Sequence, residues 1–407
     1  MRLARTLAAC LALTGSAFAD PSPDRFGDGG VPAFYRWTGD LPALGTVLRA
    51  EPLAPDLVLA AASRGERILY SSMDGLGGQN RIAVSGAVFW PKGDPPQGGW
   101  PIMAWAHGTV GVADICAPSF AGRSDRDVQY LNAWLSAGFA VVATDYQGLG
   151  TPGGHPYLAA RPEAYGVLDA ARAAKGRDGI GDAVLVVGQS QGAGAAFTTA
   201  VLASSYAPDV KLLGTVATGL PYFSRDTLAG LARSRGSEAV TPTLVYTLLL
   251  MQLAEQTQPG FDPSAYLTER GRAVYDMARA SCYGAMAEAV VSRGLSPKAA
   301  LAQDPAPVFE ALYPLLAYPS LRSASPIFVG TGEVDRDVPP TMQGALVRDA
   351  CAAGARIAWR RYPELDHSGV VNASLADSLP FARDLLAGRE VANDCPAVAG
   401  GNTAAPR

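Results

Sequence analysis

Three side chains in this 407-residue chain have the types, order and surroundings that nucleophilic acyl transfer requires: Ser190 in "GQSQG", Asp335 in "GEVDRDVPP" and His367 in "PELDHSGV". A serine hydroxyl is a poor nucleophile until a base takes its proton, and the base needs a carboxylate to orient it and stabilise its charged form. The pentapeptide alone is a weak signal in a chain with 45 glycines. Its context is stronger: the apolar run 184–188 leads directly into it, and small helix-tolerant residues follow. That is the strand-turn-helix setting of a nucleophile elbow. The turn strains the serine backbone, so its neighbours must be tiny, and the helix N-terminus behind it adds partial positive charge where an oxyanion develops.

The elements that must position these groups alternate along the chain. Residues 82–90, 101–108, 139–145, 183–188, 211–218, 326–335 and 356–362 read as strands; 162–175, 192–204 and the segments "YLNAWLSAG", "TMQGALVRDACAAG" and "SLADSLPFARDLLAG" read as helices. This βαβα order implies an α/β fold with a mostly parallel sheet covered on both faces. The alternation stops between 221 and 325, where Ala, Leu, Arg and Glu recur at helical spacing. The expected organisation is a core in two parts, 20–220 and 326–390, interrupted by a helical cap at 221–325 and followed by a tail at 391–407. Both ends of the insertion are expected to emerge at the C-terminal ends of the strands, so that the cap roofs Ser190. Its apolar run "TLVYTLLLMQL" reads as the cap's own core or, more sharply, as the wall of an acyl pocket.

In sheets with such an elbow the order is nucleophile, acid, base, with the acid after a late strand and the histidine after the last one. The chain has three histidines, and His107 and His155 precede Ser190, which leaves His367. Asp335 follows the strand that resumes the sheet, with Asp337 its nearest competitor; Asp366 is badly placed to reach its own neighbour's ring. His107 reads as shaping a loop, His155 and Tyr157 as packing near the pocket mouth, and Asp145 as a local backbone cap.

A formal net charge of −4 gives no basic footprint for nucleic acid. Arg2 and Arg5 precede an apolar stretch ending in Ala17-Phe18-Ala19, which predicts a signal peptide over 1–19 and export. "LAAC" at 7–10 resembles a lipoprotein cleavage box, but only nine residues precede Cys10. Cys116, Cys282, Cys351 and Cys395 then remain, an even number that favours two disulfides in an oxidising compartment, with three connectivities open. No cysteine spacing suggests a zinc site.

The motifs "AHGTVGVADICAPS" (106–119), "DYQGLGTPGGHPYL" (145–158), "GQSQGAGAA" (188–196) and "GEVDRDVPP" (332–340) together resemble the secretory lipase family. The resemblance implies an α/β-hydrolase core with a helical cap, ester hydrolysis without metal or other cofactor, and the bridges Cys116–Cys282 and Cys351–Cys395. It also implies oxyanion donors at Gln191, the residue after the nucleophile, and in the loop "HGT", where Thr109 is preferred and Gly108 held in reserve. The expected function is an exported serine ester hydrolase, of lipase or carboxylesterase type, that acts on ester or lipid substrates. Transient contact with lipid surfaces is expected, with no nucleic acid and no lasting protein partner. A serine peptidase or polyester hydrolase on the same fold, or a catalytically silent binding protein, are the alternatives.

Overall fold

Runs of Val, Ile and Ala with aromatic residues set the strands, and the computed structural model, which describes residues 26–78 and 80–400, assembles nine of them into one sheet. They are β1 (Val47–Pro52), β2 (Ala62–Met73), β3 (Arg81–Pro91), β4 (Trp100–Ala106), β5 (Ala140–Thr144), β6 (Ile180–Gln189), β7 (Lys211–Thr218), β8 (Ile327–Gly332) and β9 (Ile357–Tyr362), in the order β1-β2-β3-β5-β4-β6-β7-β8-β9. The first three strands pair antiparallel, β3 joins β5 antiparallel, and every later pairing is parallel. This is the α/β-hydrolase fold. β1 and β2 are additions to the strands expected from sequence. The signal peptide expected at 1–19 lies outside the described residues.

Side chains alternate between the two faces of the sheet with period two. Ile102, Ala104, Val184 and Val186 pack beneath helix Ala160–Ala174 on one face; Met103, Trp105, Leu185 and Val187 pack with Leu131, Trp134 and Phe381 on the other. β5 and β8 are buried along their whole length, as expected for parallel strands covered on both sides. Helix Asp125–Ser136, which carries Leu131 and Trp134, starts where Ser124 accepts a hydrogen bond from Asp127 N, with Asp125 and Asp127 complementing the helix dipole in its first turn.

Between β7 and β8 the chain is helical, with helices Arg225–Arg233, Leu244–Thr257, Glu269–Tyr275, Tyr283–Ser292 and Ala306–Leu316 around a separate apolar cluster. Leu244–Thr257 is buried on nearly all sides, which is why its sequence lacks a polar face. One expectation is corrected: only one end of this insertion emerges at the C-terminal ends of the strands. β8 runs parallel to β7, so the chain must return to the opposite edge before entering it. It does so alongside the helix after Ser190: Tyr318 packs on Phe197, and Ser323 Oγ donates to Ala200 O.

Cys116 is joined to Cys282, tying the segment after β4 to the helical insertion, and Cys351 to Cys395, tying helix Pro340–Ala352 to a short helix, Cys395–Ala399, inside the expected tail. This is the pairing the family resemblance implies. Replacing Cys351 and Cys395 together by alanine should lower the unfolding free energy by about 4 kcal/mol, the chain-entropy value for a loop of this length. Urea unfolding of the oxidised proteins checks this, and a loss under about 1 kcal/mol would show that the bridge adds little beyond existing packing.

Candidate active site

Ser190 sits between β6 and helix Gln191–Tyr206 with φ 58° and ψ −122°, a region that costs a non-glycine residue on the order of 1–3 kcal/mol. The conformation is held from outside: Ser190 N donates to Thr218 O on β7 at 2.9 Å. It also depends on the flanking glycines. A Cβ on Gly188 would lie 1.9 Å from Gly192 O, and one on Gly192 would lie 1.9 Å from Ala106 O, so helix and strand approach as closely as bare backbone allows. Gln191 opens the helix, in the first turn, where backbone N–H groups have no intrahelical acceptor.

His367, in the loop after β9, faces Asp335, in the loop after β8, with Nδ1 2.7 Å from Asp335 Oδ2. Both are buried. Asp335 is held by three further donors: the backbone N–H groups of Asp337 and Val338 on Oδ1, and Gln343 Nε2 on Oδ2 at 3.0 Å. The sequence-level competitors are engaged elsewhere. Asp337 accepts from Tyr246 Oη of helix Leu244–Thr257 at 2.8 Å, and Asp366 accepts from the Ser368 and Gly369 N–H groups in its own turn. Ligand atoms of Asp335, Asp337 and His367 lie within 4.8 Å of one another, and both Asp335 oxygens already accept two hydrogen bonds each.

Gln189, the variable residue before Ser190, went unnoticed in the sequence. Its Nε2 lies 2.9 Å from His367 Nε2, and its Oε1 accepts from Arg126 Nη2 at 3.0 Å. Arg126 therefore fixes the amide so that its N–H faces the imidazole. The contact is a hydrogen bond only if His367 Nε2 is unprotonated, which leaves Nδ1–H to be donated to Asp335. That is the tautomer a base needs. The same contact occupies the Nε2 lone pair, so this imidazole could accept a proton there only by giving up the Gln189 donor.

A second buried network lies beneath Gln191. Its Nε2 donates to Glu163 Oε1 at 2.7 Å and lies 3.0 Å from His155 Nε2. Burial pushes His155 down to about 4; it is neutral, offers Nδ1–H to Gln147 O and accepts at Nε2. Burial pushes the Glu163 carboxyl up to about 8, opposed by its hydrogen bonds from Gln191 and Leu158 N. His155 thus supports Gln191, and through Gln147 O and the Tyr157 ring it also packs the loop that brings Tyr157 to the pocket lined by Ser190. His107 is also lowered by burial, and its Nδ1 is 2.7 Å from Gly108 O, so it shapes the loop between β4 and Thr109. Thr109 Oγ1 is 2.8 Å from Tyr157 Oη. Asp145 is a buried acceptor for Ser119 N, Ser119 Oγ and Ser85 Oγ.

Ser190 and Gln191 line a narrow, mostly apolar pocket whose walls include Phe223, Leu231, Tyr246 and Leu250 from the insertion. Tyr246 and Leu250 come from the apolar run singled out in the sequence, whereas Leu249 is buried in the insertion's own core. Burial and the Asp337 carboxylate push the Tyr246 hydroxyl well up from its ordinary value, so it stays a donor.

The secretory lipase family model matches residues 122–227. A secreted triacylglycerol lipase from Malassezia globosa is 28% identical over 305 residues, 69% of this chain; the chain spans 63% of that relative's length. Lipase A from Moesziomyces aphidis is 24% identical over 396 residues, 88% of this chain and 80% of its own. Among solved structures, Candida antarctica lipase A superposes with a TM-score of 0.72 at 22% identity, covering 89% of this chain and 87% of its own. A rice cell wall degrading esterase from Xanthomonas oryzae does so with 0.67 at 19%, covering 86% and 100%.

Glu163 makes stability depend on pH in a definite direction. Its folded pKa is raised from 4.5 to about 8, so between those values the folded state holds a proton the unfolded chain has lost, and stability falls as pH rises through the window. Glu163→Gln should flatten the melting temperature between pH 5 and 8 relative to the parent. Parallel curves for the two proteins would place the titration elsewhere.

Proposed function

We propose that this chain, which belongs with the secretory lipases of the α/β-hydrolase superfamily, is an exported serine ester hydrolase working through Ser190, His367 and Asp335. The observation that supports the reading is the strained Ser190 backbone lining an apolar cavity, with the residue before it, Gln189, in contact with the buried His367–Asp335 pair. Two bridges suit an oxidising compartment, in keeping with a signal peptide ending near Ala19.

In this mechanism an ester enters with its acyl chain among Phe223, Leu231 and Leu250. Ser190 Oγ attacks the carbonyl carbon as His367 Nε2, released from Gln189, takes the proton. Asp335 holds Nδ1–H and stabilises the imidazolium. Negative charge on the carbonyl oxygen is met by Gln191 N–H, under the partial positive charge of its helix, and by Thr109, with Gly108 as the alternative. His367 gives its proton to the departing alcohol, leaving an acyl ester on Ser190. A water, deprotonated by the same imidazole, then attacks that ester and frees the acid. The proton taken from that water passes from His367 Nε2 to Ser190 Oγ as the acid leaves, replacing the one that departed with the alcohol, and no step calls on a metal or other cofactor. The apolar cavity favours an acyl ester over a peptide, whose polar backbone would find few partners there.

An ester panel from acetate to palmitate, with a peptide amide alongside, tests the reading; turnover of the amide alone would replace it with a peptidase. Ser190→Ala should cut ester turnover on the order of 10⁶-fold, since nucleophile and base act as a unit. Asp335→Asn should be far more damaging than Asp337→Asn, and equal losses would leave the acid unassigned. For the cavity, Leu250→Gln should depress turnover of octanoate relative to acetate in protein that still melts cooperatively. An unchanged ratio would move the acyl chain away from this helix.

A further inference from the structure

Acyl and alcohol portions of an ester diverge from the attacked carbon, and the base returns its proton to the alcohol oxygen. In the mechanism proposed above, the alcohol oxygen must lie within reach of His367, beside the loop that carries Gly108 and Thr109. A second cavity, of about 330 Å³, borders both: Gly108 and Thr109 line it from that loop and Ser368 from beside His367, while Arg123, Arg126 and Asp127 supply charge to its walls.

The charges are unequally compensated. Arg126 pairs with Asp127 at 2.8 Å and donates to Gln189. Arg123 is different: its guanidinium stands 5.0 Å from the centroid of Phe89, and its shielded Nε and Nη2 have no hydrogen-bond acceptor among the described residues. Asp145 and Asp127 act on it through space, but the Asp145 oxygens already accept from Ser119 and Ser85, and Asp127 pairs with Arg126. A shielded guanidinium without an acceptor is costly and calls for one. Its flat array of N–H groups fits a carboxylate, and of the two arginines that line the cavity Arg126 pairs with Asp127 whereas Arg123 makes no such pair.

We propose that this cavity receives the leaving alcohol, and that Arg123 selects alcohols bearing a carboxylate. The inference rests on the ester hydrolase reading above and narrows its substrates: an apolar acyl group on one side of Ser190, an acidic alcohol on the other. The amide and carboxylate probes 4-acetoxybenzamide and 4-acetoxybenzoate share the acetyl group and differ in the charge of the leaving phenol.

The wild-type ratio of kcat/KM for the acid over the amide should fall about tenfold or more in Arg123→Met, the scale of one charge-assisted hydrogen bond. Arg123→Lys, which keeps the charge without the flat donor array, should recover part of the ratio, and added salt should lower it in the wild type. Binding is read separately by calorimetric titration of Ser190→Ala protein, where 4-hydroxybenzoate should bind about tenfold more tightly than 4-hydroxybenzamide. Ratios unchanged in both Arg123 variants, with equal binding of the two phenols, would overturn the proposal and leave Arg123 as a counter-charge for Asp145. If neither ester is hydrolysed but the acid still binds more tightly through Arg123, the anion site stands and the ester hydrolase reading fails. If neither ester is hydrolysed and the phenols bind equally, both fail.

Discussion

The close approach of bare backbone around Ser190 is the constraint on which the rest of the site depends. With glycine at 188 and 192, helix Gln191–Tyr206 can start directly against β4 and β6, and the serine between them is driven to positive φ. That single turn does three things at once. It lifts the hydroxyl clear of the sheet, aims the first N–H groups of a sixteen-residue helix at the same point, and leaves the Gln191 side chain facing the interior, where Glu163 and His155 grip it. The strain at Ser190 is small beside the apolar burial on both faces of the sheet.

Much of this was legible in the amino-acid order because it is local. β4 to β9 are short apolar runs between turns, and each was read within a few residues of its bounds. β1 and β2 were not. β2 opens with Arg64, Glu66 and Arg67 and β1 carries Arg49 and Glu51, so these antiparallel strands lack the uninterrupted apolar signal of a strand covered on both faces. Asp335 and Asp337, two residues apart, could be ranked by position, but only the fold turns one toward His367 and the other toward Tyr246.

What was missed depends on partners far away in the chain. Gln189 lies 178 residues from His367 and 63 from Arg126, and nothing in a variable position of a pentapeptide announces either. Glu163 did leave a trace: it falls on the buried side of an otherwise Ala-rich helix, and a carboxyl group among apolar neighbours asks for a partner. That trace names a buried acid without saying what it holds, and Gln191 is 28 residues on.

The bridge between Cys116 and Cys282 bears on how the site is held together. It fastens the helical insertion to the segment after β4, with the two Cα atoms 5.5 Å apart, at the edge of the insertion that faces the oxyanion loop. Among the described residues the bridge is the one covalent cross-link between insertion and core, and other ties, such as Tyr246 to Asp337 and Gln256 to Gly154 O, are hydrogen bonds. Helix Arg225–Arg233, which brings Leu231 to the acyl cavity and meets helix Ala306–Leu316 through the Arg225–Glu310 ion pair, sits in sequence far from that bridge and next to the exit from β7. The loop that carries Gly108 and Thr109 is thereby held in register with the insertion at the point where the bridge crosses, independently of how helix Arg225–Arg233 packs.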